Sequence, residues 1–328
     1  MTKPAEGRLE LSLRTHDSIR SIGRERWNEL CSADESPQLA FEWLDALERT
    51  GCVGAERGWL PLHVTLERGE EILAAAPAYL KGNSEGEFVF DHSWARFAEG
   101  SLGIDYYPKL VVAVPFTPAT GPRLLFRPGV DRTRVVQAFA EGLSLLCEKL
   151  PASGAHVLFP DRAQAAEFRD AGLVERYGVQ FHWHNRGYST FDDFLGRFSS
   201  KHRNQIRRER REMKDRGIEL VALSGRELTP ELADSAYEFY VSTVDKFPWG
   251  RRYLKRAFFA QPSDESFGDE RGFEASLGLG LPLLARADGP WLELRGALEW
   301  PNSGEMREKA LAVVSFHFFT LSPFARAD

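Results

Sequence analysis

The apolar positions change period several times along the chain, and each change marks an element. Leu9, Leu11 and Leu13 alternate with polar residues and predict a first strand. Trp27 and Leu30, then Phe41, Leu44 and Leu47, fall three or four apart and predict two helices, the second opened near Pro37 and closed at Gly51. Leu60 to Leu66, the turn at Glu67 to Glu70 and the nine-residue run Ile72 to Leu80 read as a hairpin of buried strands. Further strands are predicted over Glu87 to Trp94 and Leu110 to Phe116. Beyond a Pro/Gly-rich loop from Pro115 to Gly129, Val135, Phe139, Leu143, Leu146 and Leu150 mark a long amphipathic helix. A strand at His156 to Phe159, a helix at Ala163 to Asp170 and a strand at Val179 to Asn185 complete a mixed α/β unit over residues 1–186.

A second unit begins with helices at Phe191 to Phe198 and Ser200 to Arg216, the latter ended by Gly217. A strand at Ile218 to Leu223 and a helix at Pro230 to Lys246 follow, giving a start of a second domain over 187–260. Residues 261–328 are irregular and supply no complete continuation of it.

Length fits this division: 328 residues are enough for two cores. The longest apolar run is less than half of a membrane span, and the N-terminus has no apolar signal segment, so a cytoplasmic protein is expected. Three widely spaced cysteines argue against a disulfide framework or a structural zinc site. The net charge of −6 hides one concentration of positive charge. Residues 201–216 hold eight Lys or Arg against three acids, so the rest of the chain stands at −11. An anionic ligand would be steered to this helix.

On that helix Arg203, Arg207, Arg210 or Arg211, and Lys214 share a face, seated by Ile206 and Met213. Lys201, Arg203, Arg207 and Arg208 are therefore candidate anion-binding residues. The same pattern suits a solvated face laced by Glu209, Glu212 and Asp215. Duplex DNA is disfavoured by the acidic remainder and by the lack of helix-turn-helix spacing. Gly82-Asn-Ser84-Glu-Gly86 has the letters of a nucleophile elbow but joins predicted strands, so a polar hairpin turn is expected. His182 and His184 share a strand face without a third ligand, and Asp91, His92 and Ser93 alternate in direction on a strand and form no triad. Gly278-Leu-Gly280 lacks the third glycine of a dinucleotide loop. No metal is expected, and without a Walker sequence nucleotide hydrolysis is not expected either.

Two stretches are more specific: Phe90-Asp91-x-Ser-Trp94 with Tyr106-Tyr107-Pro-Lys109-Leu and Val114-Pro-Phe-Thr-Pro-x-Thr120-Gly-Pro-Arg123-Leu; and Ser200-Lys201-x-Arg203-x-x-Ile206-Arg207-Arg208-Glu-Arg210, followed by Phe247-Pro-Trp249-Gly. With these segments the chain resembles the FemAB-like group of N-acyltransferases of peptidoglycan biosynthesis or recognition, in the GNAT superfamily, over roughly residues 8 to 260. The resemblance implies a tandem GNAT-like fold with a ligand cleft near the domain junction. It also implies transfer of an acyl or aminoacyl group to an amine acceptor, a small molecule or cell-wall precursor, from acyl-CoA or, alternatively, aminoacyl-tRNA. Asp91 or a tyrosine of the Tyr106–Tyr107 pair, Tyr107 foremost, then becomes the candidate for positioning the amine, with Tyr107, Lys109 and Thr120 lining the cleft. Two departures stand against it. No Gln/Arg-x-x-Gly-x-Gly/Ala pyrophosphate loop precedes Val135, and residues 261–328 show no Gly-Ala-Gln-Gly-x-His-Lys-like ending. The tail is expected to be truncated or shifted out of frame. A non-catalytic protein that binds a cell-wall precursor or RNA on the same fold is the competing expectation.

Overall fold

In the computed structural model the described residues are 11–31, 37–89, 91–150, 152–178, 185–217, 229–248, 250–261 and 317–321. Ten strands and ten α-helices are described. The strands are β1 (Leu11–His16), β2 (Leu60–Pro61), β3 (His63–Arg68), β4 (Glu71–Ala76), β5 (Ala78–Lys81), β6 (Lys109–Val112), β7 (Leu125–Phe126), β8 (Ala155–Leu158), β9 (Val174–Tyr177) and β10 (His317–Leu321). They form one sheet in the order β1-β3-β4-β7 and a second in the order β2-β5-β6-β8-β10-β9. All neighbours are antiparallel except β6 and β8, which run parallel.

The run Ile72 to Leu80 is two strands and not one. Pro77 lacks an N–H for the ladder, and the chain changes sheet there, with β4 in the first and β5 in the second. The Pro77 carbonyl is used instead by the Ala113 N–H at 3.1 Å. Alternation sends Ala74 and Ala76 into one core and Ala75 into the other, and the register shift opposite Leu66 and Glu67 breaks the period so that Ile72 joins Ala75 and Tyr79.

The helices that cover these faces are α1 (Ile19–Ile22), α2 (Arg24–Asn28) and α3 (Phe41–Arg49) on one side. Trp27, Leu44, Leu47 and Trp59 are buried there with Ile72 and Tyr79. Helix α4 (His92–Phe97) follows β5, and α5 (Arg132–Lys149) and α6 (Arg162–Asp170) cover the other side. The expected periodicity of α5 is met by its buried Val135, Phe139, Leu143 and Cys147. Asp131 and Asp161 cap α5 and α6, each side chain accepting the backbone N–H three residues on. Gly142 lets α5 approach β1 closely, since a Cβ there would run into the Leu13 side chain.

Glu87 to Trp94 is not a strand. Residues 87–89 are loop, and α4 starts where the Asp91 carbonyl accepts from Trp94 and Ala95, at 2.9 and 3.1 Å. The alternating aromatics suggested a strand, but Ala95 and Arg96 favour a helix and Trp94 and Phe97 take one face at a spacing of three. Strand β9 lies at Val174–Tyr177, ahead of the predicted segment 179–185, whose residues 179–184 lie outside those described, as do Ile218 to Leu223, His182, His184, Gly278 and Gly280. Within the stretch read as irregular, His317–Leu321 forms β10 and pairs with both β8 and β9.

The remaining helices are α7 (Phe191–Leu195), α8 (Ser200–Asp215), α9 (Pro230–Val244) and α10 (Arg256–Phe259). Residues 251–261 return to the first unit. Phe258 is buried edge-on to Trp43 with centroids 5.1 Å apart, and the Lys255 N–H donates to Cys52 Sγ at 3.3 Å. Among the described residues no helix is long and apolar enough to cross a membrane.

Candidate functional site

The antiparallel register of β5 and β6 places Lys81 directly opposite Lys109, and both side chains are fully buried. Two like charges facing each other across a strand pair repel, and two buried ammoniums cost more again. The turn that follows β5 supplies the compensation. It folds on an Asn83 side chain that accepts from the Glu85 N–H at 3.0 Å, and on Gly86 at φ 75°. Here glycine is required twice: the φ is left-handed, and a Cβ would come within 2.7 Å of the Phe116 ring and 3.2 Å of the Trp59 nitrogen. The turn delivers Ser84 and Glu87 to the lysines, and the start of α4 delivers Asp91.

Lys109 uses all three of its donors: to Ser84 Oγ at 2.9 Å, Glu87 Oε2 at 2.8 Å and Asp91 Oδ2 at 2.6 Å. Lys81 donates to the Glu85 carbonyl at 2.9 Å, sits 3.9 Å above the Trp59 ring and lies 3.9 Å from Glu87 Oε1. Tyr106 donates to Asp91 Oδ2 at 2.8 Å, and the Tyr107 hydroxyl shares a 2.8 Å bond with Ser84. The two tyrosine rings, edge-on at 5.1 Å and only half-buried, form the outer edge of the cluster. His156 of β8 is buried behind them with its ring 6.1 Å from that of Tyr106.

Burial and the ion pairs divide the protons unequally. Desolvation pulls Lys81 down to about 7 despite the attraction of Glu87. It raises Glu87, whose pull from the two lysines is the weaker influence. Burial also acts upward on Asp91, but the Lys109 ammonium and its hydrogen bond outweigh it and hold that carboxyl below its ordinary range. Tyr106 is raised by burial and by the Asp91 carboxylate it bonds, so it remains a donor. His156 falls to about 3 through burial and is neutral at ordinary pH. The arrangement is a fixed carboxylate with a phenol attached, sealed from below and closed by tyrosines above.

Of the residues singled out from sequence, Asp91, Tyr107 and Lys109 are brought together here. Thr120 is exposed and lies past the opposite end of β6, in the loop whose Gly121 bridges to Pro160 beyond β8. Arg123, buried beneath that loop, donates to the Leu158 and Pro122 carbonyls at 2.6 and 2.8 Å and also bonds the Ala119 carbonyl. Lys201, Arg203, Arg207 and Arg208 are on α8, as expected. Arg207 pairs with Asp192 of α7 at 2.8 Å, and Arg203 donates to the Phe198 carbonyl and Ser200 Oγ, each at 3.3 Å.

Lys81, Glu87 and His156 join the cluster without being predicted from the sequence, whereas a tyrosine of the Tyr106–Tyr107 pair was expected there. Ser84 was dismissed as part of a hairpin turn, but the segment joins β5 to a loop and the hydroxyl is buried on Lys109. Lys81 and Glu87 had one available signal, charged residues at the edges of apolar strands. Only the tertiary fold shows that they meet: the register sets Lys81 opposite Lys109, and the turn brings Glu87 to both. Among the described residues, no group of three His, Cys, Asp or Glu side chains is placed to hold a metal ion.

These features define a mixed α/β protein whose central sheet encloses an ion-paired cluster edged by tyrosines. The chain belongs to the FemAB-like family, described as peptidoglycan biosynthesis/recognition, whose model matches residues 18–270. No curated protein matches the chain.

Proposed function

We propose that this protein transfers an acyl or aminoacyl group to an amine of a peptidoglycan precursor. The observation that carries the reading is the Lys109–Asp91–Tyr106 chain, a carboxylate kept ionised in a buried site and linked by a 2.8 Å bond to a half-buried phenol. An acceptor amine reaching the tyrosine edge meets the Tyr106 hydroxyl, whose orientation is set by its bond to Asp91. Aminolysis of a thioester or ester needs the amine deprotonated and held on the carbonyl, so positioning supplies much of the rate. Asp91 is too acidic to act as a strong base. Its role is to fix the Tyr106 hydroxyl that orients the amine, and the amine loses its proton to solvent or to the leaving group. Acyl-CoA and aminoacyl-tRNA are the donors to be tested, and the cationic face of α8, with Lys201, Arg203, Arg207 and Arg208, is the surface suited to their phosphates. The mixed sheet with its parallel β6–β8 pair is compatible with a GNAT-like unit.

A second reading, recognition without transfer, draws on how closed the cluster is: Lys109, Asp91 and Glu87 are 0, 1 and 2% exposed. Thermal unfolding of the whole chain with coenzyme A, acetyl-coenzyme A and charged tRNA tests the donor. A ligand at ~100 times its Kd stabilises the fold by about 2.7 kcal/mol. Transfer to a precursor amine that falls at least tenfold in Asp91→Asn supports the reading; ligand binding with no transfer moves the assignment to recognition.

A further inference from the structure

Beside the tyrosine edge is a surface that the cluster itself does not use. Helix α4 starts at Asp91, and its Trp94 and Phe97, three residues apart on one face, are 55 and 56% exposed. The Arg176 guanidinium, reaching over from β9, stacks on the Trp94 ring at 4.1 Å. Arg176 is also close enough to act electrostatically on Tyr106, so the stack lies near the tyrosine edge of the cluster. Two large aromatics exposed on one helix face and rimmed by an arginine form the kind of apolar patch that marks a binding surface. A guanidinium over an indole face keeps its N–H donors in its own plane, directed away from the ring, where they meet a planar or tetrahedral anion edge-on.

We infer that Trp94 and Arg176 form an acceptor subsite for an anionic sugar. Trp94 takes the apolar face of the pyranose ring, and Arg176 takes a carboxylate or phosphate carried on it. The inference rests on the acceptor being a peptidoglycan precursor, as proposed above, and adds which part of it is recognised and by which residues. An anion held at Arg176 would leave the rest of the acceptor free to extend toward Tyr106 and Asp91.

Ligand-observed NMR titration of the full chain, with no acyl donor present, tests this with three probes: N-acetylglucosamine, N-acetylmuramic acid and N-acetylglucosamine 1-phosphate. At least one anionic sugar is expected to bind about tenfold tighter than the neutral one, the order of a single charge-assisted bond. The preferred anion says whether carboxylate or phosphate is the natural group. Arg176→Gln should reduce the anionic sugar to the affinity of the neutral one without changing the latter. Trp94→Ala should weaken both. Arg176→Lys, which keeps the charge but loses the planar fork, should fall between. Both positions are on the surface, and unchanged melting temperatures will confirm folded variants. Equal affinity for all three probes, absence of binding, or indifference to Arg176→Gln overturns the subsite. Because no donor is present, failure of the transfer reading leaves these affinities untouched. Conversely, transfer that depends on Asp91 while its acceptor KM ignores Arg176 removes the subsite alone.

Discussion

Lys109 Nζ lies 2.6 Å from Asp91 Oδ2, with neither group in contact with solvent. A β-strand contributes one partner and the first turn of a helix the other. The pair therefore fastens α4, and with it Trp94, to the sheet. Removing one member of such a pair strands the other in a low-dielectric site.

Lys109→Met is accordingly expected to destabilise the fold by about 3–5 kcal/mol, because both Glu87 and Asp91 lose their ammonium. Chemical denaturation at neutral pH measures it. A midpoint within error of the wild type would mean that the carboxylates are not held by Lys109.

The pH dependence has two opposite signs. Asp91 has a folded pKa below the unfolded 3.8, so its contribution is complete above that value and is lost as pH falls through the folded one. Lys81 drops from 10.5 in the unfolded chain to about 7 in the fold. Between those values the unfolded chain binds the extra proton, so stability from this group rises with pH. From pH 7 to 9 the gain should be up to about 2 kcal/mol relative to Lys81→Met. Parallel stability curves for the two proteins over that range would contradict the buried, proton-poor lysine.

The returning segment 251–261 holds the turn that carries Ser84 and Glu87. Tyr253 stacks on Phe116 at 5.1 Å with planes 14° apart, and its hydroxyl donates to Glu85 Oε2 at 3.3 Å. Tyr253→Ala should cost about 0.5–1.5 kcal/mol and speed amide exchange in residues 82–88. Exchange unchanged in that turn would show that the strap is not what orders it.

Arg207→Glu with Arg208→Glu should leave the melting temperature almost unaltered, since the Arg207–Asp192 pair is exposed and such pairs contribute little. Binding of a polyphosphate donor should be lost, and for the wild type it should weaken steeply with salt. A double variant that binds the donor normally takes α8 out of the site.

Gly86→Ala meets the Phe116 ring and an unfavourable φ together, so it should destabilise more than the ~1 kcal/mol typical of a mild backbone change. Denaturant midpoints against Gly129→Ala, where φ is 80° but nothing crowds the Cβ, separate the steric part from the backbone part.

Elements whose residues interact with near neighbours are legible from the residue order alone. Helices α3, α5, α6 and α8 stand where apolar or basic residues recur at three and four, and the hairpin β3–β4 stands at its turn. The residue order also marked Asp91, Tyr107 and Lys109 through the stretches that resemble the family. Only tertiary structure decided what those residues do. Whether Lys81 faces solvent or Lys109 depends on a register between β5 and β6, chain segments separated by the turn, α4 and the loop leading to the tyrosines. Whether Ser84 is a turn residue or a ligand of an ammonium depends on the same pairing. Likewise, Pro77 sends β5 to a different sheet from β4, and no local period records that choice. Periodicity reports which face a residue occupies; the partner across that face is fixed by long-range packing, where desolvation of two lysines has to be balanced by two carboxylates.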